Sequence, residues 1–212
     1  MAEALSIRKS IEELIVDVEV RTFCKITQVP VNVEEIVRKL GGKIQATSPQ
    51  SVIKEKYRRG IINTGERSFT FELYLPKVQY EMDPLIHEYG LLPLSLDDWR
   101  KTAHGRYEIA HLLGHLLLHM GYQNPLKWES QEKFRDSIAH HVDIDFSRKE
   151  IDANQFAQAL LMPQEKFREV ACRAYNKEGD SYPLFLITEK FGVPELAAKR
   201  YGQRIGLFKE EE

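Results

Sequence analysis

The chain has 212 residues, of which 42% are hydrophobic and 29% charged, with a formal charge of −2. Such a length holds one substantial core, or a core with an appendage, and the composition is that of a soluble globular protein. A near-neutral balance provides no general basic field for nucleic acid or anionic membrane.

The basic clusters KEKYRR (54–59) and AAKRYGQR (197–204) read as solvated faces. Cys24 and Cys172 lie far apart in no metal-ligand spacing, which fits a reduced compartment better than a disulfide framework. The N-terminal stretch MAEALSIRKSIEELIVDVEV carries acids through its apolar run. It reads as neither a signal peptide nor a membrane span, so a cytoplasmic protein is expected.

In chain order, Ile7, Ile11, Leu14, Ile15 and Val18 fall at helical spacing and predict an amphipathic helix within 5–28. In PVNVEEIVRKLGG, Asn32 can cap, with Glu35 three residues on. Ile36 and Leu40 would face inward, and Gly41-Gly42 would end the helix. Residues 43–46 can begin a sheet. Phe69, Phe71, Leu73 and Leu75 alternate with polar positions, which marks a half-buried strand. Asn63-Thr64-Gly65 supplies a turn, so 60–63 and 67–75 are expected to pair as a hairpin that Pro76 stops.

Residues 77–104 have no steady period and read as a long connection with a short helix near 95–102. An apolar helix follows in GRYEIAHLLGHLLLHMG (105–121), then a charged linker over 122–146. The run SRKEIDANQFAQALLMP predicts a helix ended near Pro163, and the C-terminal region should form two or three short helices.

His111 and His115 are spaced i and i+4, so they share one helix face and can address one site. Ile109, Leu112, Leu113, Leu116, Leu117 and Leu118 surround them, so the helix should lie centrally. Buried imidazoles need partners, since an unsatisfied polar group costs on the order of 1–3 kcal/mol. A zinc ion would supply one for each ring; bonds to backbone or carboxylates would serve as well. The spacing is that of the H-E-x-x-H helix of zinc peptidases, but Leu112 stands where that motif has glutamate. His119, one turn further along, reads as packing, capping or support for the pair. His87, His104, His140 and His141 show no compelling spacing.

A catalytic-type site needs a third protein ligand. Glu150 and Asn154, again i and i+4, could supply a carboxylate ligand and a residue that orients a histidine through its other nitrogen. The alternative is that Ser147-Arg148-Lys149-Glu150 is a capping box, with Glu150 turned to the N-cap amide. On these residues alone the cap is the favoured reading.

Taken together, PVNVEEIVRKLGGKIQA, RYEIAHLLGHLLLH, EIDANQFAQALLMP and ITEKFGVPELAAKRYGQRIGLF resemble the ImmA/IrrE family of metallopeptidases over most of residues 25–208. The resemblance implies an α+β fold: a zincin-like mixed domain with a small twisted sheet, a central HxxxH helix and a C-terminal helical region. It implies a core over 1–163, with 77–104 an insertion or lid where relatives are shorter, and a helical segment over 164–212 packed on it. By the same resemblance His111, His115 and Glu150 match zinc ligands and Asn154 the orienting position. The partner it implies is a helix-turn-helix repressor, with no direct nucleic acid and no membrane.

Leu112 departs from the family pattern at its most consequential point. A zinc peptidase needs a carboxylate to take the proton of the attacking water, a contribution of about 10²–10⁴-fold, and leucine has no lone pair. Glu108, one turn earlier on the same face, is the substitute base that residue type suggests. Helical side chains lean toward the N-terminus, however, so it should point away from the water. His87-Glu88 qualifies on residue type alone. Three functions are therefore expected in competition: a zinc peptidase with weak activity, a metal-binding pseudoenzyme that binds a repressor without cutting it, and a DNA-binding regulator. The last rests on the helix-turn-helix rhythm of ITEKFGVPELAAKRYGQR, with Gly192 at the turn. Against it, Phe191, Val193, Leu196 and Ala197 read as packing residues.

Overall fold

A computed structural model of the chain describes residues 10–46, 61–64, 71–75, 96–120, 122, 144–176 and 181–209. Helix α1 spans Ile11–Thr22 and starts at a true capping box. Ser10 Oγ accepts from the Glu13 amide at 3.2 Å, and the Glu13 carboxylate accepts from the Ser10 amide at 2.7 Å. The expected helix over 5–28 is thus shorter, because Phe23 turns left-handed at φ 52° and ends it. Ile7 falls outside the described residues.

Helix α2 (Val33–Lys39) is capped by Asn32, whose Oδ1 accepts from the Glu35 amide at 3.1 Å. Ile36 and Leu40 face inward, as their spacing predicts. The Glu35 carboxylate instead pairs with Arg38, and Gly41 takes φ 89° to release the chain into the sheet.

Strands β1 (Gly42–Ala46), β2 (Ile61–Thr64) and β3 (Phe71–Leu75) form a sheet in the order β1-β3-β2. The expected hairpin exists, with Ile61 opposite Tyr74 and Thr64 opposite Phe71. Asn63 and Thr64, expected in the turn, instead pair with Glu72 and Phe71 as the end of β2, and Gly65 and Pro76 fall outside the described residues. The parallel pairing of β1 with β3, Gly42 to Phe71 through Ala46 to Leu75, has no local signature in sequence. It makes β3 the central strand and buries Leu73 completely.

After the short helix α3 (Leu96–Trp99), Thr102 caps α4 (Ala103–Leu118) by accepting from the Gly105 amide at 3.1 Å. The expected connection over 77–104 therefore ends too late, since 103–104 are the first turn of α4. Its stretch 77–95 lies outside the described residues. The linker expected over 122–146 likewise overruns at both ends. Tyr122 is buried with its hydroxyl donating to the Leu40 carbonyl, and α5 (Ile144–Leu161) already begins at Ile144.

Helix α5 packs against α4 more extensively than any other pair of elements among the described residues. A glycine makes this possible: a Cβ on Gly114 would lie 3.0 Å from both the Cα and the carbonyl oxygen of Ala153. Ala153, Phe156, Ala157 and Leu160 complete the buried face of α5.

Helices α6 (Gln164–Ala174), α7 (Leu184–Phe191) and α8 (Glu195–Arg204) follow. Phe167 gathers them, its ring centroid 5.6 Å from that of Phe191 and 5.0 Å, edge-on, from that of Tyr201. One hydrophobic cluster runs from Val33 and Ile36 through Leu73, Leu113 and Phe156 to Phe167 and Phe191. Arg106 ties its ends: Nε donates to the Gly192 carbonyl at 3.1 Å and Nη2 to the Val31 carbonyl at 2.6 Å.

Candidate metal centre

Helix α4 presents His111 and His115 on its α5 side, both essentially buried. Across from them, α5 presents Glu150. His111 Nε2 stands 3.3 Å from one carboxylate oxygen, His115 Nε2 stands 3.0 Å from the other, and the two Nε2 atoms are 3.1 Å apart. The two rings meet edge to face. The Glu150 carboxyl would be pushed up by burial, but hydrogen bonds and attraction from His111 and His115 hold it well below the usual carboxylate range. Burial pushes the His115 imidazole the other way, toward its neutral form.

The capping-box alternative for Glu150 fails because α5 starts at Ile144, which places Ser147 inside the helix rather than at its N-cap. With no cap to make, Glu150 lies within the body of the helix, facing the histidines.

Nδ1 of His111 lies 3.1 Å from Asn154 Oδ1. That oxygen, which also accepts from the Tyr107 hydroxyl at 3.3 Å, can only receive a proton. The His111 tautomer that satisfies this oxygen has its hydrogen on Nδ1, and in that tautomer the Nε2 lone pair is turned toward Glu150. A cation held between the three groups would satisfy all of them; without one, a ring nitrogen can instead donate to the carboxylate. Bonds of about 2.0–2.1 Å in tetrahedral array put neighbouring donors about 3.3 Å apart, close to the separations found. Two imidazoles and a carboxylate form a donor set that suits zinc, and the residues present fit the ion.

Tyr107, Glu108 and Asn154 line a groove of about 360 Å³ bounded by α4, α5 and α8. The cluster of ligand-type atoms comprises His111, His115 and Glu150 and leaves out Glu108. Leu112 belongs to the hydrophobic core and is 3% exposed. His104 is exposed at the groove; His87, His140 and His141 fall outside the described residues, as does Glu88.

The support role expected for His119 has a counterpart in the structure, whereas Tyr107 and Asp152 were not singled out in the sequence. The Tyr107 hydroxyl supports Asn154, and His119 places its Nδ1 3.0 Å from that of His115 while its Nε2 lies 3.8 Å from Asp152. The H-x-x-x-H-x-x-x-H spacing was the available signal for His119; nothing local pointed to Asp152.

The helix-turn-helix rhythm of the C-terminal region is realised as α7, Gly192 at φ 62°, and α8. Phe191, Val193 and Ala197 are buried within it, as packing predicts, whereas Leu196 is exposed beside the groove. No helix among the described residues is long and apolar enough to cross a membrane.

A family model described as the IrrE N-terminal-like domain, Peptidase_M78, matches residues 94–201. No curated protein and no solved structure gives a match.

Proposed function

Because the chain belongs to the IrrE N-terminal-like family of metallopeptidases, we propose that it holds one zinc ion on His111, His115 and Glu150 and acts on helix-turn-helix repressors with weak or absent proteolysis. The observation that carries this reading is the convergence of three ligand atoms from two packed helices. The repressor as partner rests on the ImmA/IrrE resemblance of the sequence alone.

Bound zinc supplies Lewis acidity toward a peptide carbonyl and toward water. The chain's own residues contribute the rest. His111 and His115 offer ring nitrogens from a buried face, and Glu150 brings the charge that makes binding favourable. Asn154 and Tyr107 fix the proton of His111 on the side away from the donors. What these residues do not provide is a proton acceptor at position 112, where a core leucine stands. Glu108 is the remaining candidate base, and its place at the groove beside Asn154 supports a role in contacting a bound partner at least as well.

The buried Leu112 favours a second reading, in which the cleft binds a repressor without cutting it. Metal analysis and a cleavage assay on helix-turn-helix repressors decide between them. The proposal expects about one zinc per chain and slow or no cleavage. Leu112→Glu is expected to raise cleavage by about 10²–10⁴-fold, the usual contribution of a general base, and Leu112→Gln is not. Cleavage already fast, and indifferent to Leu112→Glu, would move the base to Glu108, with Glu108→Gln as the deciding variant. Zinc-loaded variants that all fail to cleave would establish the binding function.

A further inference from the structure

The C-cap residue of α4, His119, continues the spacing of the two ligand-type histidines. His111, His115 and His119 are spaced i, i+4 and i+8 on one face. The His119 side chain is 4% exposed, and its ring centroid lies 5.0 Å from that of His115. It closes the helix, its amide donating to the His115 carbonyl at 3.0 Å. Its ring therefore starts from a backbone position that is already fixed.

An Nδ1-to-Nδ1 contact of 3.0 Å between two imidazoles works only if one nitrogen carries a hydrogen and the other a lone pair. The direction of that one bond decides what His115 can do. If His115 donates, its hydrogen is on Nδ1 and its Nε2 lone pair faces His111 Nε2 at 3.1 Å and Glu150 at 3.0 Å. If His119 donates, His115 carries its hydrogen on Nε2 and cannot be a ligand. Asp152 tips the choice. Its carboxylate oxygen lies 3.8 Å from His119 Nε2, beyond direct hydrogen-bond reach, and a negative charge there acts through space to favour a hydrogen on that nitrogen, leaving Nδ1 of His119 as the acceptor. Asp152 and Asn154 both come from α5, the helix of Glu150. One helix thus holds each ligand histidine from behind, His111 directly through Asn154 and His115 through His119.

We propose that His119 and Asp152 are positioning residues of the metal site, forming a carboxylate–imidazole arm that orients His115 and keeps its Nε2 lone pair on the donor triangle. This rests on the zinc reading above, so its test must be able to fail separately.

Zinc affinity of the purified full chain is measured by chelator competition, alongside the thermal midpoint of the metal-free protein. His119→Phe keeps the ring and removes the acceptor. It is expected to weaken zinc binding by about 10–100-fold, the usual cost of removing a partner behind a ligand, with no more fall in the metal-free midpoint than the one lost hydrogen bond causes. His119→Asn returns an oxygen near the place of Nδ1 and should recover most of the affinity, and Asp152→Asn should show a smaller loss. Nitrogen-15 NMR of the metal-free chain should find the His115 hydrogen on Nδ1, a preference lost in His119→Phe. Wild-type affinity in His119→Phe, while His115→Ala loses zinc, would overturn the arm and leave the metal site standing. Loss of affinity in step with a falling metal-free midpoint, unrelieved by His119→Asn, would make His119 a packing residue and also overturn it. Zinc retained by His115→Ala would instead remove the metal reading itself.

Discussion

Two stretches of this chain carry the same pattern, serine followed three residues later by glutamate: Ser10 to Glu13, and Ser147 to Glu150. In the first, both halves of the reciprocal cap are made and α1 begins there. In the second, the helix has begun at Ile144 and the glutamate faces two buried imidazoles on another element. The difference does not lie in the four residues themselves. Glu13 is on an exposed helix start, where the cap satisfies amides that the helix leaves open. Glu150 is within reach of a pair of nitrogens that α4 cannot satisfy alone. A capping box is worth about 1 kcal/mol, whereas buried imidazoles left unsatisfied cost more, so the tertiary partner prevails wherever one is in range.

Substitutions at the two sites should separate these roles. The largest effect belongs to Glu150→Gln, which removes the charge that faces both histidines. It should weaken zinc binding, read by chelator competition, well beyond the loss of about 10–100-fold typical of residues behind a ligand. Glu13→Gln should leave zinc binding unchanged. Next comes Gly114→Ala. The added methyl meets the Ala153 backbone at 3.0 Å and must push α4 and α5 apart, costing about 1–3 kcal/mol in denaturant unfolding. Zinc affinity should fall with it, because Glu150 sits on the displaced helix; unchanged affinity would show that the donors do not depend on this packing. Asn154→Ala removes the acceptor behind His111 and should weaken zinc binding about 10–100-fold with little change in metal-free stability. The smallest effect is Ser10→Ala, expected to cost about 1 kcal/mol of stability without touching the metal. A change in zinc affinity there would mean that the two S-x-x-E sites are not independent.

What could be read in the sequence was whatever periodicity carries. The i, i+4 spacing put His111 with His115 and Glu150 with Asn154, and the apolar residues around the histidines placed their helix at the centre. Alternation gave the hairpin of β2 and β3. Pairings without local cause were not legible. The parallel register of β1 on β3 spans residues with no shared signal, and Asp152 reaches His119 only because two helices cross as they do. Glu150 fell between these cases: its residues alone favoured a cap over a ligand, and the start of α5 inside that pattern reverses the choice.

The contact at Gly114 has a further consequence. Where Gly114 meets Ala153, main chain rests on main chain, with no rotatable side chain between. Most of a core can be reshuffled by compensating changes of rotamer and volume, but a backbone contact has no rotamer to change. The distance from His111 and His115 to Glu150 is thereby insulated from sequence drift in the surrounding leucines and phenylalanines. Such a frame would hold the three ligand-type atoms at one spacing whatever side chain stands at position 112.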